Sequence, residues 1–352
     1  MITDLMRYAG TAAKVRTLYG NRLTAEDFHA LGSMKTIPEV TLYLQNHPGW
    51  RSALIGLNAT DTHRNQLEDA LHQGLLNEHL RIYNFVFSSG SELYQEPILR
   101  AEQDEILSCH RYIQTGGGGG YAIRLPAVFR KQSKIDFSAL ARCADWESLL
   151  AAISKTDYYP LLSRLNKPES GLPDYSSVEW VMQSYVYGRL FTIARRRASG
   201  QVKRAMESFI GAQVDLINIG RIMRIKKYFP EGWQEYVGLL LPFSGRIPPS
   251  FLKELYSAPD EKAAFQMLMR TPYKKVFEKG NFKYTEEYYH NFLFDFSRQM
   301  LRASIPSAFT AIAYLNLKEI ELQNLIKVTE CVRYSKTPES AGVFLVGISQ
   351  AQ

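Results

Sequence analysis

No stretch of this 352-residue sequence stays apolar long enough to cross a bilayer. Val237 to Pro242 and Phe292 to Phe294 are interrupted within a few residues, whereas a helical span needs about 20. Residues 1–20 carry Asp4, Arg7, Lys14 and Arg16, which excludes the apolar core of a secretory signal. Cysteine is scarce. Cys109, Cys143 and Cys331 are odd in number, far apart and without CxxC spacing, so neither a disulfide framework nor a zinc site is expected. The expectation is an intracellular, cytoplasmic protein whose membrane association is borrowed from a partner. Runs of alternating β-branched residues are missing too. Ala122 to Phe129 comes nearest, and Pro126 interrupts it. An all-α fold is therefore expected.

Signatures of catalysis are equally absent. The five-glycine run Gly116 to Gly120 is followed by Tyr121 rather than a GK[ST] ending, so it reads as a linker and not as a phosphate cradle. None of the seven histidines lies in HExxH, and no GxSxG elbow occurs. His63, His72 and His79 fall on or near one predicted helix, but metal ligands would sit nearer i and i+4; the plain reading is solvated helix positions. No catalytic residue, cofactor, metal or small-molecule substrate is expected.

What the chain does have is a pattern written three times. From Phe28, Leu31, Leu44 and Trp50 follow; from Phe137, Leu140, Ile153 and Tyr159; from Phe251, Glu254 (with Leu255 beside it), Met267 and Tyr273. Cap-like Ser33, Asp145 and Asp260 fall within the copies. Each copy reads as a short helix, a capped turn, a second helix and a closing aromatic. A long amphipathic segment follows each. Its face is Leu67, Leu71, Leu75, Ile82 and Val86 in the first copy, and Val178, Met182, Val186, Leu190 and Ile193 in the second. In the third it is Tyr289, Phe292, Phe296 and Met300. An acid, Glu68, Glu179 or Glu286, stands near each start, where a helix dipole favours it. A closing helix then ends each unit, roughly Glu96 to Thr115, Val202 to Phe229 and Pro306 to Tyr334. The expected units are 1–116, 121–235 and 236–352, separated by the glycine run and by the Lys227–Gly232 and Pro242–Pro249 breaks.

The net charge is +7, modest for this length. Arg195 to Arg197 with Lys203 and Arg204 surround a predicted helix–helix turn, and Arg221, Arg224, Lys226 and Lys227 end the next helix. A basic helical scaffold binding nucleic acid is the alternative function. It would want this charge interleaved with exposed aromatics, and only Tyr228 and Phe229 are near.

The second and third closing helices hold polar residues in apolar surroundings. One reads Asp215-Leu216-Ile217-Asn218-Ile219, then Arg221, Arg224 and Lys226. The other reads Pro306-Ser307-Ala308-Phe309, then Ala313-Tyr314-Leu315, Lys318-Glu319-Ile320-Glu321 and Asn324-Leu325. With Arg7-Tyr8, Lys14 and Arg16 near the start, these stretches resemble the C subunits of the V/A-type rotary ATPases, whose counterparts in eukaryotic V-ATPases are the d subunits. The resemblance spans essentially the whole chain. It implies an all-helical, funnel-shaped protein of three related domains with pseudo-threefold symmetry and no active site. Such a protein sits between the central shaft subunits of the ATP-hydrolysing sector and the membrane proteolipid ring, turns with the rotor, and serves H⁺ or Na⁺ transport. Asp215, Asn218 and Arg224 match the family's second-unit stretch; Tyr314, Lys318, Glu319, Glu321 and Asn324 match its third. Asp104 and Leu107 stand at the comparable place in the first unit. Two roles remain open for the matching residues: pairing within the chain, which buried polar groups require, or contact with shaft or ring.

Overall fold

Caps decide where the short helices of this chain begin. In the computed structural model, which describes residues 2–86, 96–117, 120–123, 125, 127–131, 133–166, 171–197, 200–229, 236–278, 285–303 and 308–348, helices follow one another with no strand among the described residues. The fold is all-α. The chain forms two compact units, Met1–Ser91 with Phe282–Gln352, and Glu92–Asn281. The first unit opens with α1 (Ile2–Gly20), α2 (Ala25–Gly32), α3 (Ile37–Asn46) and α4 (Arg64–Val86). The second contains α5 (Glu96–Gln114), α6 (Ala127–Arg130), α7 (Phe137–Leu140), α8 (Trp146–Ala152) and α9 (Tyr159–Leu162). It continues with α10 (Tyr175–Arg197), α11 (Gly200–Tyr228), α12 (Pro249–Ser257), α13 (Glu261–Leu268) and α14 (Lys274–Glu278). The chain returns to the first unit with α15 (Thr285–Arg302) and α16 (Ala308–Arg333). Among the described residues no helix is long and apolar enough to cross a membrane.

The three short hairpins share one register. Phe28, Leu31 and Leu44 are buried, as are Phe137, Leu140 and Ile153, and Leu252, Leu255 and Leu268, each set at steps of three and sixteen. Eight residues after the first member comes the N-cap of the second helix: Thr36, Asp145 or Asp260. Asp145 and Ser148 form a capping box, and Asp260 accepts from Ala263 N at 2.6 Å. Such caps satisfy donors that a helix start leaves open, each contributing about 1 kcal/mol.

Three expectations shift here, two of them by one residue. The third copy starts at Leu252 rather than Phe251, so exposed Glu254 is no break in it. The closing aromatic of the second copy is Tyr158, 3% exposed, whereas Tyr159 is 40% exposed. Ser33 ends α2 instead of capping α3, a task that falls to Thr36.

Long helices seat these hairpins. In the first unit Leu67, Leu71 and Leu75 of α4 and Leu322, Leu325, Val328 and Val332 of α16 enclose Phe28, Leu31, Leu44 and Trp50 in one core. Each fully buried leucine is worth roughly 2 kcal/mol. The α10 face Val178, Met182, Val186, Leu190 and Ile193 is buried as its period predicts. On α15 the buried positions among the described residues are Tyr288, Leu293, Ser297 and Leu301, while Tyr289, Phe292, Phe296 and Met300 beside them are half-buried. Phe296 keeps its aromatic contact, edge-on to Phe309 of α16 at 6.3 Å. The glycine run begins as a helix stop. Gly116, at φ +71, follows α5, and Gly117 N–H bonds Tyr112 O at 3.1 Å.

Candidate functional site

Each closing helix carries one buried carboxylate that grips the aromatic of a hairpin. On α11, Asp215 accepts four hydrogen bonds: Gly245 N at 2.8 Å, Arg246 N at 2.6 Å, Ile247 N at 3.0 Å and Tyr273 Oη at 2.7 Å. Three successive amides aimed at one carboxylate form an anion-holding nest. Backbone proximity makes the nest: a Cβ on Gly245 would come within 2.5 Å of Gly211 C, and one on Gly211 within 2.6 Å of Gly245 Cα. Two residues lacking Cβ thus let the 243–247 segment lie flat on α11. One turn on, Asn218 exchanges both amide bonds with Leu241, Nδ2 to O at 3.1 Å and N to Oδ1 at 2.9 Å.

The arrangement recurs on α16. Glu321 accepts from Trp50 Nε1 at 2.6 Å, Leu23 N at 3.2 Å and Lys318 Nζ at 2.8 Å. Lys318 is itself buried, donates to Gly49 O at 3.0 Å and lies 3.8 Å from the Trp50 ring centroid. Asn324 pairs with Val346 as Asn218 does with Leu241, Nδ2 to O at 2.9 Å and N to Oδ1 at 3.0 Å. A third instance stands on α5. Glu102 accepts from Tyr158 Oη at 2.5 Å, and Glu105 accepts from Leu125 N at 3.0 Å. Acid and acceptor are three residues apart each time: Asp215 and Asn218, Glu321 and Asn324, Glu102 and Glu105. Glu102 and Glu105 therefore hold in α5 the place expected for Asp104, which is exposed, and Leu107, which is buried among apolar groups.

The three acids differ in what offsets their charge. Asp215 has amide dipoles and a phenol, and Glu321 has an ammonium group. Glu102 has the Tyr158 and Ser133 hydroxyls, and burial outweighs them to raise its carboxyl above the ordinary range. Burial first, and the adjoining carboxylate second, push the Tyr158 and Tyr273 phenols upward, so both are donors at any physiological pH.

Of the other matching residues, buried Tyr314 donates to Glu78 Oε1 of α4 at 2.6 Å. Arg224 is exposed on α11 and Glu319 half-buried on α16, both outside the carboxylate nodes. Two cations of the basic cluster serve the fold. Arg221 donates to Leu239 O and to Gln183 Oε1 at 2.8 Å, while Lys226 donates to Tyr256 O at 3.0 Å and to Ala258 O. The donors Trp50 and Tyr273 were legible only as core aromatics, and Tyr158 was passed over for Tyr159; an acid three residues before an amide on an apolar helix is the signal that would have marked the acids that hold Trp50 and Tyr273.

The family described as ATP synthase (C/AC39) subunit matches residues 11–341. The chain belongs to that family. Its members are non-catalytic subunits of their complex. Among relatives, the C subunit of the A-type ATP synthase of Pyrococcus abyssi is 24% identical over 208 residues, which are 57% of this chain and 55% of the relative. Its namesake from Methanosphaera stadtmanae is 22% identical over 221 residues, 59% of this chain and 55% of the relative. That of Methanosarcina acetivorans is 27% identical over 118 residues, 34% and 31% of the two chains. The first two matches thus span about half the length of those relatives.

Proposed function

We propose that this C/AC39-family chain is a central-stalk rotor subunit, joining the central shaft of the ATP-hydrolysing sector to the membrane proteolipid ring. The observation that carries the reading beyond family membership is the set of buried carboxylate nodes. A part that transmits torque must not yield between its short and long helices, and Asp215, Glu321 and Glu102 each tie a hairpin to a long helix with bonds shielded from water. In this reading the segments 1–116, 121–235 and 236–352 act as three related units that adapt an asymmetric shaft to a symmetric ring. The protein lies on the cytoplasmic side, peripheral to the membrane through the integral sector, and serves H⁺ or Na⁺ movement coupled to ATP. Asp215, Asn218, Lys318, Glu321 and Asn324 hold its shape, and Arg224 is the matching residue exposed to solvent.

Affinity purification of the tagged chain from detergent-solubilised membranes tests this. Catalytic ATPase subunits and a proteolipid ring are expected to copurify. Their absence from a sample that contains an assembled ATPase overturns the reading.

A further inference from the structure

One face of helix α10 enters the core, and a second face, on which Phe191 is also buried, borders a groove. Along this second face, Trp180, Ser184, Gly188, Phe191 and Arg195 recur at helical spacing and line the groove, which measures 950 Å³. Leu161 and Leu165 border it on one side and Phe243 on the other. Phe243 stacks against Phe191 at 5.5 Å and leaves only 3.3 Å for a Cβ at Gly188, so the floor is aromatic and shallow. The groove follows α10 from Trp180 to Arg195, a length of about 22 Å at 1.5 Å per residue.

The residues that line the groove carry charge of one sign, with Glu207 beside Arg195 and Asp157 accepting from Tyr185 at its edge. Arg164, Arg189 and Arg195 line it, and no carboxylate does among the described residues. Arg164 and Arg195 are exposed; the Arg195 side chain retains 67% of its accessible surface beside Glu207 at 3.4 Å. Deeper in, Ser184 Oγ and Arg189 Nε are buried and lack a hydrogen-bond partner. A long, straight, aromatic-floored groove along one helix is suited to a helical ligand, because a partner helix presents apolar anchors at i, i+3, i+4 and i+7 along the same length. Arginines flanking such a floor complement carboxylates flanking such anchors.

We propose that this groove docks an acidic amphipathic helix from a partner protein. Its apolar stripe lies over Trp180, Phe191 and Phe243, and its carboxylates meet Arg164, Arg189 and Arg195. This site stands apart from the rotor reading, since a chain that failed to bind a proteolipid ring would still carry it.

The test titrates the full chain into a fluorescein-labelled amphipathic peptide of about 15 residues, with a Leu/Phe stripe flanked by Glu, and into its twin with Lys for Glu. The acidic peptide is expected to bind saturably and gain helical circular dichroism, and the Lys twin to bind about tenfold more weakly or not at all. Arg164→Glu with Arg195→Glu, both exposed positions, is expected to weaken the acidic peptide about tenfold and to strengthen the Lys twin. Equal binding of the two peptides, no response to the charge reversals, or no saturation at roughly 1 mM would overturn the proposal. Two further outcomes would overturn it by naming a different occupant. One is arginine-dependent binding to phosphatidylglycerol vesicles with neither peptide bound. The other is a self-association, seen by sedimentation, that the same reversals abolish.

Discussion

The indole N–H of Trp50 meets the carboxylate of Glu321 at 2.6 Å, although the two are 271 positions apart in the chain. Lys318 completes the node, 2.8 Å from Glu321 and 3.8 Å from the Trp50 ring centroid. Trp50→Phe keeps a ring beneath the ammonium group and deletes one donor to the carboxylate. It is expected to cost about 1–3 kcal/mol in urea unfolding. Glu321→Gln strands a buried lysine and is expected to cost about 3–5 kcal/mol. If the two variants unfolded alike, Lys318 would not depend on Glu321 for its charge partner.

At Asp215 the expectation is loss of melting temperature in the isolated protein. Asp215→Ala leaves three amides and the Tyr273 hydroxyl without their acceptor, for roughly 3–5 kcal/mol. Gly245→Ala breaks the same nest from the other side by driving a Cβ against Gly211. Because both act on one contact, the double variant should lose less than the sum of the singles. An unchanged melt for Asp215→Ala together with lost shaft binding would move this residue from the framework to an interface.

Acid should loosen the first unit through two histidines. Burial lowers His79 of α4 and His290 of α15 from 6.5 to about 4, with Lys327 adding to the effect at His290. Both are neutral when folded, while the unfolded chain takes up protons below pH 6.5. Their stabilising share is therefore full above pH 6.5 and is lost as pH falls toward 4. At pH 5.5 the two together should cost about 3 kcal/mol. Glu102 runs the other way: its raised carboxyl favours the folded state in acid, and that share declines as pH climbs above 4.5. Melting curves from pH 7 to 5 for the native chain and for His79→Phe separate the contributions. A variant with the native slope would show that His79 does not titrate on unfolding.

Much of this was legible in the sequence because hydrophobic period and caps act locally. The faces of α4 and α10, the closing helices and the caps Asp145 and Asp260 follow from residues a few positions apart. Two of the misses were one-residue shifts. Tyr158 and Tyr159 are adjacent aromatics, and what separates them is a carboxylate on α5, 56 residues away in sequence. Phe251 and Leu252 are both apolar, and only the buried neighbours of α12 choose between them. On α15, rich in aromatics, several faces are apolar enough to serve, so period alone could not say that Ser297 points inward. Asp215, Glu321 and Asn324 stood out as polar residues in apolar runs; their partners did not, since an amide at Gly245 or Val346 has no signature in residue type.

The wiring of Glu321 also sets an order for synthesis. The hairpin of α2 and α3 emerges from the ribosome well before the helix that carries its carboxylate and much of its apolar lining. Glu92–Asn281 holds both partners of each of its own nodes, so it can consolidate while the N-terminal segment waits. The α2–α3 hairpin is then sealed only after α16 is made, and until then its exposed leucines are a natural client for a chaperone.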